Sequence, residues 1–406
     1  GEKRNKGRNY GHLKGLDTVK KVVKGSIKLK IPIVTFYVFS SENWKRPQTE
    51  INFLFRLINS YFSEEINNVI RQGIKLNIFI PLTTCPLIYT IIFCLAFFCD
   101  LTCSDAPRLG MGARSGEITE DSAIVQIRLT ESFGQERNFG IPGKTGKARI
   151  HLSRHDEMAD ATKTLWQEAS KENDYHLQFP IADLKPKQRY FYQAELKEKD
   201  GMPSRMSEIF SFKTAPKSTD RKEIMFQVTT CQSAHGLPTY TLMERQKPDF
   251  LISAGDTVYY DRYDVRSKEE AYWLYQKQYG TPYTINYLAH IPAYFMKDDH
   301  DTWQDDAWPT LESTYMADFT FLEGVEIFKE QTPMSELTYR TFRWGQDVQI
   351  WLVEGRDYRS ANSDPDGPTK TIWGAEQTAW FKETVKASDA TFRILISPTP
   401  FVGPDT

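Results

Sequence analysis

A lone thiol and two dense acidic segments close successive apolar stretches in the long C-terminal part of this chain. Cys231 ends EIMFQVTTCQ, and Asp256 and Tyr259 lie in PDFLISAGDTVYYD. Asp298, Asp299, His300, Asp301, Asp305 and Asp306 crowd into KDDHDTWQDD, and Glu354 and Arg356 end VQIWLVEGRD. Carboxylates this close repel one another unless cations neutralise them. For KDDHDTWQDD alone, a solvated acidic loop is the alternative. That alternative weakens once the segment is joined to GDTVYYD behind a second apolar stretch. Beside such acids Cys231 becomes a candidate thiolate ligand rather than a small buried hydrophobe. A thiolate favours iron or zinc over calcium or magnesium. His235, four residues on, is a secondary candidate to approach the same place.

The elements that must position these groups are short β-strands. EIMFQV, PDFLIS, PAYFM and VQIWL are apolar runs of strand length, and TFRILISPTP adds a fifth. Helical spacers are expected at Lys268–Gln278 and Ala375–Ala387. Reactive residues at the carboxyl ends of several strands are how open α/β sheets build sites. Upstream, from about Arg114 to Lys217, the texture differs. SAIVQIRLT and KARIHLSR alternate with period two, and Pro-marked turns separate further strands. That pattern predicts a β-sandwich of fibronectin type, with Tyr190 and Tyr192 as packing residues.

The N-terminal part is of another kind. Residues 1–80 carry 15 Lys and Arg against 6 Asp and Glu, in a chain whose net charge is −2. That basic surface suits anionic ligands such as diphosphates, or is a solvated face. Its elements read α-β-α-β, as in part of a parallel sheet. The seam is CPLIYTIIFCLAFFC at 85–99, which has no charge until Asp100. The run is too short for the roughly 20 residues of a membrane-spanning helix. It matches the apolar region of a secretory signal, displaced from the N-terminus where such signals work. A buried helix or strand pair is the alternative, and membrane contact through 85–99 is the partner it suggests. Four of the five cysteines (Cys85, Cys94, Cys99 and Cys103) lie in or beside this run, too few for a disulfide scaffold.

Two resemblances follow from these motifs. RNYGHLKG at 8–15 and FSSENWKRP at 39–47 resemble the cis-prenyltransferases of the undecaprenyl diphosphate synthase family. The resemblance implies diphosphate binding by Arg8 and His12. It implies substrate positioning by Asn43, Trp44 and Arg46, and a prenyl tunnel lined by Glu50. The family's magnesium-binding aspartate should precede this stretch and is absent from it, so prenyl transfer is not expected. GARSGEITEDSAIVQIRL, TTCQ, GDTVYYD, DDHD and EGRDYRS resemble the PhoD-like phosphatases, over about residues 108–406. This implies metal-dependent hydrolysis of phosphomonoesters or phosphodiesters, with iron and calcium as cofactors and zinc as an alternative. Cys231, Asp256, Tyr259 and Asp305 are the implied metal ligands, Asp305 standing where the family usually has Asn. Asp299, His300 and Glu354 would support the loop. Arg356 or Arg359 would neutralise phosphoryl charge, or else form structural salt bridges.

The expected architecture is thus multi-part, α/β and β. A truncated cis-prenyltransferase-like fragment spans 1–80, a signal-like segment 81–107, a fibronectin-like β-sandwich 108–217, and an incomplete α/β metallophosphatase sandwich 218–406. Further family ligands are expected beyond the last residue, which would impair the site. The partner expected is a small phosphate ester, with no nucleic acid beyond a phosphodiester substrate. The phosphatase part is expected outside the cytoplasm and the prenyltransferase-like part inside it. An inactive chimera of two gene fragments is the reading from a different class.

Overall fold

The computed structural model describes residues 106–136, 139–232 and 239–400, together with Lys21. The motifs at 8–15 and 39–47, the apolar run at 85–99 and His235 lie outside the described residues. Among the described residues no helix is long and apolar enough to cross a membrane.

The first strands are β1 (Ala113–Gly116), β2 (Ala123–Arg128), β3 (Gly146–Ser153), β4 (Thr162–Lys163), β5 (Gln167–Ala169), β6 (His176–Ile181), β7 (Arg189–Lys197), β8 (Arg205–Met206) and β9 (Phe210–Lys213). β1, β2 and β6 pair antiparallel, and β3 pairs antiparallel with β4, β5 and β7. The period-two pattern explains the packing. Val125, Ile127, Leu177 and Phe179 from the first group share one core with Ile150, Tyr192, Ala194, Phe210 and Phe212 from the second. Tyr190 and Tyr192 are buried and stack on Phe212 and Phe210. Both tyrosines therefore pack rather than bind.

Then come β10 (Phe226–Thr229), α1 (Thr239–Glu244), β11 (Phe250–Ala254), α2 (Lys268–Tyr279), α3 (Pro282–Leu288), β12 (Ala293–Met296), α4 (Phe321–Gln331), β13 (Arg340–Trp344), β14 (Val348–Leu352), α5 (Gly374–Ala387) and β15 (Phe392–Ile396). β10, β11 and β12 run parallel, and β14 and β15 form a second parallel pair flanked by antiparallel β13. The apolar strands expected to end in one register therefore divide between two sheets. These sheets face each other. Phe250, Ile252, Tyr294 and Met296 meet Trp344, Ile350 and Ile394 in one core, with the Phe250 and Trp344 ring centroids 4.4 Å apart. The alternate residues, Leu251, Ala293 and Phe295, turn to a second core formed with α2, α3 and α4. α5 covers the far sheet, where Trp351 Nε1 donates to Thr384 Oγ1 at 2.9 Å. The order of layers is helix, sheet, sheet, helix, because strands buried on both faces must be covered on both.

The two parts share a sheet. β1 pairs parallel with β12 through Gly116 and Ala293, giving the order β10-β11-β12-β1-β2-β6. One face of β1, β2 and β6 is polar yet buried. There Gln126 and Gln178 side-chain amides donate to the carbonyls of Glu330 (2.8 Å), Lys329 (3.0 Å) and Thr332 (3.1 Å). These bonds satisfy carbonyls that a helix C-terminus leaves unpaired. At its other end α4 is fixed by a capping box, Thr320 with Glu323.

Between these ends, α4 lies so close to the acidic loop that a Cβ at Gly324 would fall 1.7 Å from the Thr302 carbonyl oxygen. Glycine to alanine in a helix interior ordinarily stabilises by about 0.5–1 kcal/mol. Here the sign reverses. Gly324→Ala is expected to cost about 1–3 kcal/mol through overpacking, seen as a lower urea midpoint with an unchanged slope.

Candidate metal centre

Each acidic group leaves the C-terminal end of a parallel strand. Cys231 follows β10, Asp256 follows β11, and Asp298 to Asp301 follow β12. Glu354 and Arg356 follow β14, and Thr399 follows β15. The first two turns are strained. Cys231 and Asp256 have φ of 51° and 53°, in the left-handed region that ordinary residues avoid. They are held there by Cys231 N–H to the Gly255 carbonyl (3.3 Å) and Gln232 N–H to the Asp256 carbonyl (2.8 Å). Gly255, at φ 83°, leaves no room for a side chain, since a Cβ would meet Asp298 Cβ at 2.9 Å.

The result is a tight donor set. One ligand atom each from Asp256, Asp299 and His300 lie within 4.8 Å of one another. Cys231 Sγ sits 3.6 Å from Asp256 Oδ2. Asp256 Oδ1 and the Tyr259 hydroxyl are buried without a hydrogen-bond partner. Buried polar atoms are normally paired, so orphans converging with a thiol and an imidazole fit an absent cation.

The electrostatics agree. Burial, then the charges of Asp298 and Asp299, hold the Asp256 carboxyl well above its usual range. Burial raises Asp298 and brings Asp301 to about 7. Burial and Asp256 push the Cys231 thiol up to about 12, and burial raises Tyr259 as well. His300 goes the other way. Burial pulls it down, but its 2.9 Å contact to Asp261 and the charges of Asp299 and Asp256 outweigh that and lift it to about 9. A cation bound among them would displace the protons of the Cys231 thiol and the Tyr259 hydroxyl.

Two buried cations steady the acids. Arg356, 2% exposed, places Nε 2.6 Å from Asp298 and Nη1 3.0 Å from Asp306, with Asp299 at 3.7 Å. Lys297 lies 3.0 Å from Glu354 and 2.5 Å from Asp357. Glu354 also accepts from the Arg356 amide, and burial lifts it to about 7. Arg359 is bound to Asp306 at 3.3 Å and to Asn362.

Several expectations from sequence are rearranged by this geometry. Asp299 and His300, expected to support the loop, stand in the donor group with Asp256. Asp305, expected as a ligand, lies at the edge of this group: its side chain is 77% exposed, with Oδ1 3.6 Å from His300 Nε2. Arg356 is engaged by carboxylates and buried, so it neutralises protein acids rather than facing incoming phosphate. Asp261, Lys297 and Arg262 were not singled out. Asp261 closes GDTVYYD, five residues after Asp256, and Lys297 ends a buried strand, which is rare for a lysine without partners.

Comparison with known proteins accords with this geometry. Residues 226–405 match the PhoD-like phosphatase model, and residues 101–216 match the model of its N-terminal domain. From residue 101 onward the chain is PhoD-like. A solved structure of PhoD superposes with TM-score 0.58 at 18% identity, covering 72% of this chain and 62% of that one, which shows a shared fold. A purple acid phosphatase from yellow lupin aligns at TM-score 0.48 and 11% identity. Residues 1–86 match the undecaprenyl diphosphate synthase model. Over 71 residues they are 46% identical to an isoprenyl transferase of Rickettsia bellii, and over 68 residues 43% identical to one of Enterococcus faecalis. The chain spans less than a third of the length of these transferases. The PhoD-like match implies a metal cofactor, and the donor set described above accommodates one.

Two outcomes follow. Because Asp256 and Cys231 must lose protons to bind a cation, apparent affinity should rise with pH, roughly tenfold per unit for each proton released. Calorimetry in buffers of different ionisation enthalpy would count those protons. Arg356→Met leaves Asp298 buried without its counterion and should cost about 3–5 kcal/mol near pH 7. A carboxyl raised above its unfolded value destabilises most at high pH, so the loss should shrink as pH falls through that raised value. Urea titrations at pH 5 and pH 8 check the sign.

Proposed function

We propose that the PhoD-like part hydrolyses small phosphate esters, monoesters or diesters, at the centre closed by β10, β11 and β12. The observation that carries this reading is the convergence of Asp256, Asp299 and His300 within 4.8 Å, beside Cys231 and two unpartnered buried oxygens. When bound there, a cation supplies Lewis acidity toward a phosphoryl oxygen and lowers the pKa of a water. The residues of the chain do the rest. Asp256, Asp299, His300, Cys231 and Tyr259 form the donor set. Asp261 fixes the His300 ring through Nδ1, the usual device for setting a ligand's tautomer and orientation. Arg356 and Lys297 keep Asp298 and Glu354 in place beneath it. The thiol and phenol favour an iron-type metal, with calcium or zinc as further candidates.

A separate reading, diphosphate binding by residues 1–86, is supported by the 46% identity to an isoprenyl transferase. Export of the phosphatase part is supported by its PhoD-like match and by the signal-like run at 85–99.

The test is hydrolysis of chromogenic phosphate monoesters and diesters by the full chain supplied with iron and calcium. Asp256→Asn should lower kcat/KM by about a hundredfold or more while the melting temperature stays within a few degrees. A variant as active as the parent would remove Asp256 from the centre.

A further inference from the structure

We propose that Lys222 is a nucleophilic amine, a site at which this chain takes an acyl group from an acyl phosphate. The inference does not rest on the phosphoesterase reading. Lys222 stands in the loop between β9 and β10, and its partner Asp249 immediately precedes β11. Asp256 follows that strand, so the two places lie at its opposite ends.

The geometry is two ammoniums on one carboxylate oxygen. Lys213 Nζ lies 2.8 Å and Lys222 Nζ 3.4 Å from Asp249 Oδ1. The other oxygen, Oδ2, accepts the Met225 N–H at 3.1 Å. Arg221, next to Lys222 in the chain, turns instead to Gln346 Oε1 at 3.0 Å. One negative charge therefore serves two positive ones. The side chains of Lys213, Lys222 and Asp249 are 22%, 26% and 13% exposed, so water screens the repulsion poorly. The shorter contact belongs to Lys213, which leaves Lys222 the less firmly held. Burial and the neighbouring Lys213 draw the Lys222 ammonium below the usual lysine range, and Asp249 offsets them in part. A desolvated lysine beside a second cation keeps more of its nitrogen as free base, and the free base is the nucleophile.

The product suits the place. Neutral Lys222 Nζ attacks the carbonyl carbon of the acyl phosphate. The bond from that carbon to the phosphate oxygen breaks, phosphate departs with the bonding pair, and the proton of the amine passes to water. Lys213 carries three N–H donors and spends one on Asp249, so it has donors left for the departing anion. The neutral amide formed at Lys222 leaves Lys213 and Asp249 as a balanced pair.

The competing role is purely structural, with both lysines bracing Asp249 at the start of β11. Limiting acetyl phosphate on the full chain, read by site-resolved mass spectrometry, separates the two. Near pH 8 Lys222 should be acetylated about threefold or more faster than the exposed Lys217 and Lys247. Lys213→Met should slow Lys222 by about threefold or more against the same two references and move the pH midpoint of its labelling upward. Lys213→Arg keeps the charge and should restore both the rate and the midpoint. Equal labelling of the three lysines in the parent would overturn the assignment, and that measurement needs no variant to fold. A Lys222 rate indifferent to the charge at position 213 would overturn it as well.

Discussion

Mutual repulsion among buried carboxylates is the constraint around which the C-terminal part is built. Asp256 at the end of β11 and Asp298, Asp299 and Asp301 at the end of β12 are all buried. In a medium that screens poorly, four such groups cannot all be ionised without opposite charge close by. The chain supplies two cations, Arg356 and Lys297, from beneath. Asp256 pairs with neither, and His300 offsets it in part. The charge still to be balanced is therefore concentrated where the orphaned oxygens and the thiol face each other. The same interaction that would unfold the loop in isolation defines a place for a cation.

That place survives because rigid elements close on it from several directions. The strand carrying Asp256 and the strands carrying Glu354 and Arg356 belong to different sheets, pressed together by Phe250, Tyr294, Phe342 and Trp344. The ion pair of Arg356 with Asp298 and the bond from Thr399 to Asp298 (2.8 Å) cross from one sheet to the other at their C-terminal edges. On the opposite side α4 touches the Thr302 carbonyl through Gly324, and its C-terminal carbonyls are tied to Gln126 and Gln178 of the β-rich part. The N-terminal β-layer is thus joined by hydrogen bonds to the helix that abuts the acidic loop. Sequence separation hides this arrangement, since Gln126 and Glu330 are about two hundred positions apart.

What could be read from sequence divides along physical lines. The strands were legible because burial on one face or two leaves a period-two or continuous apolar pattern, as in Gly146–Ser153 and Phe250–Ala254. Helices α2 and α5 fell where their spacing placed them. α4 was passed over although Thr320 and Glu323 spell a capping box, a local signal open to inspection. The division into two sheets was not legible. Nothing in an apolar pentapeptide says which neighbour it pairs with, and β13, the antiparallel strand that sets the second sheet apart, mixes two arginines and a threonine with its aromatic residues. In the site, proximity in sequence was a fair guide to proximity in space, but exposure was not. Asp305 and Asp299 are six positions apart in one acidic run, yet one is solvated and the other enclosed.

The thiol carries the argument one step further, toward the kind of cation such a centre selects. Cys231 sits in a left-handed turn at the end of β10, where burial and then the neighbouring Asp256 carboxylate raise its pKa to about 12. Near neutral pH that sulfur is a poor ligand for calcium or magnesium, which gain too little from sulfur to displace its proton. A softer or more highly charged ion gains enough. Tyr259, whose hydroxyl is raised by the same burial and the same aspartate, imposes the same condition from the other side. Two groups that resist ionisation, held in strained or enclosed positions beside Asp256, put a proton cost on any ion they would bind, and an ion able to ionise both would meet it.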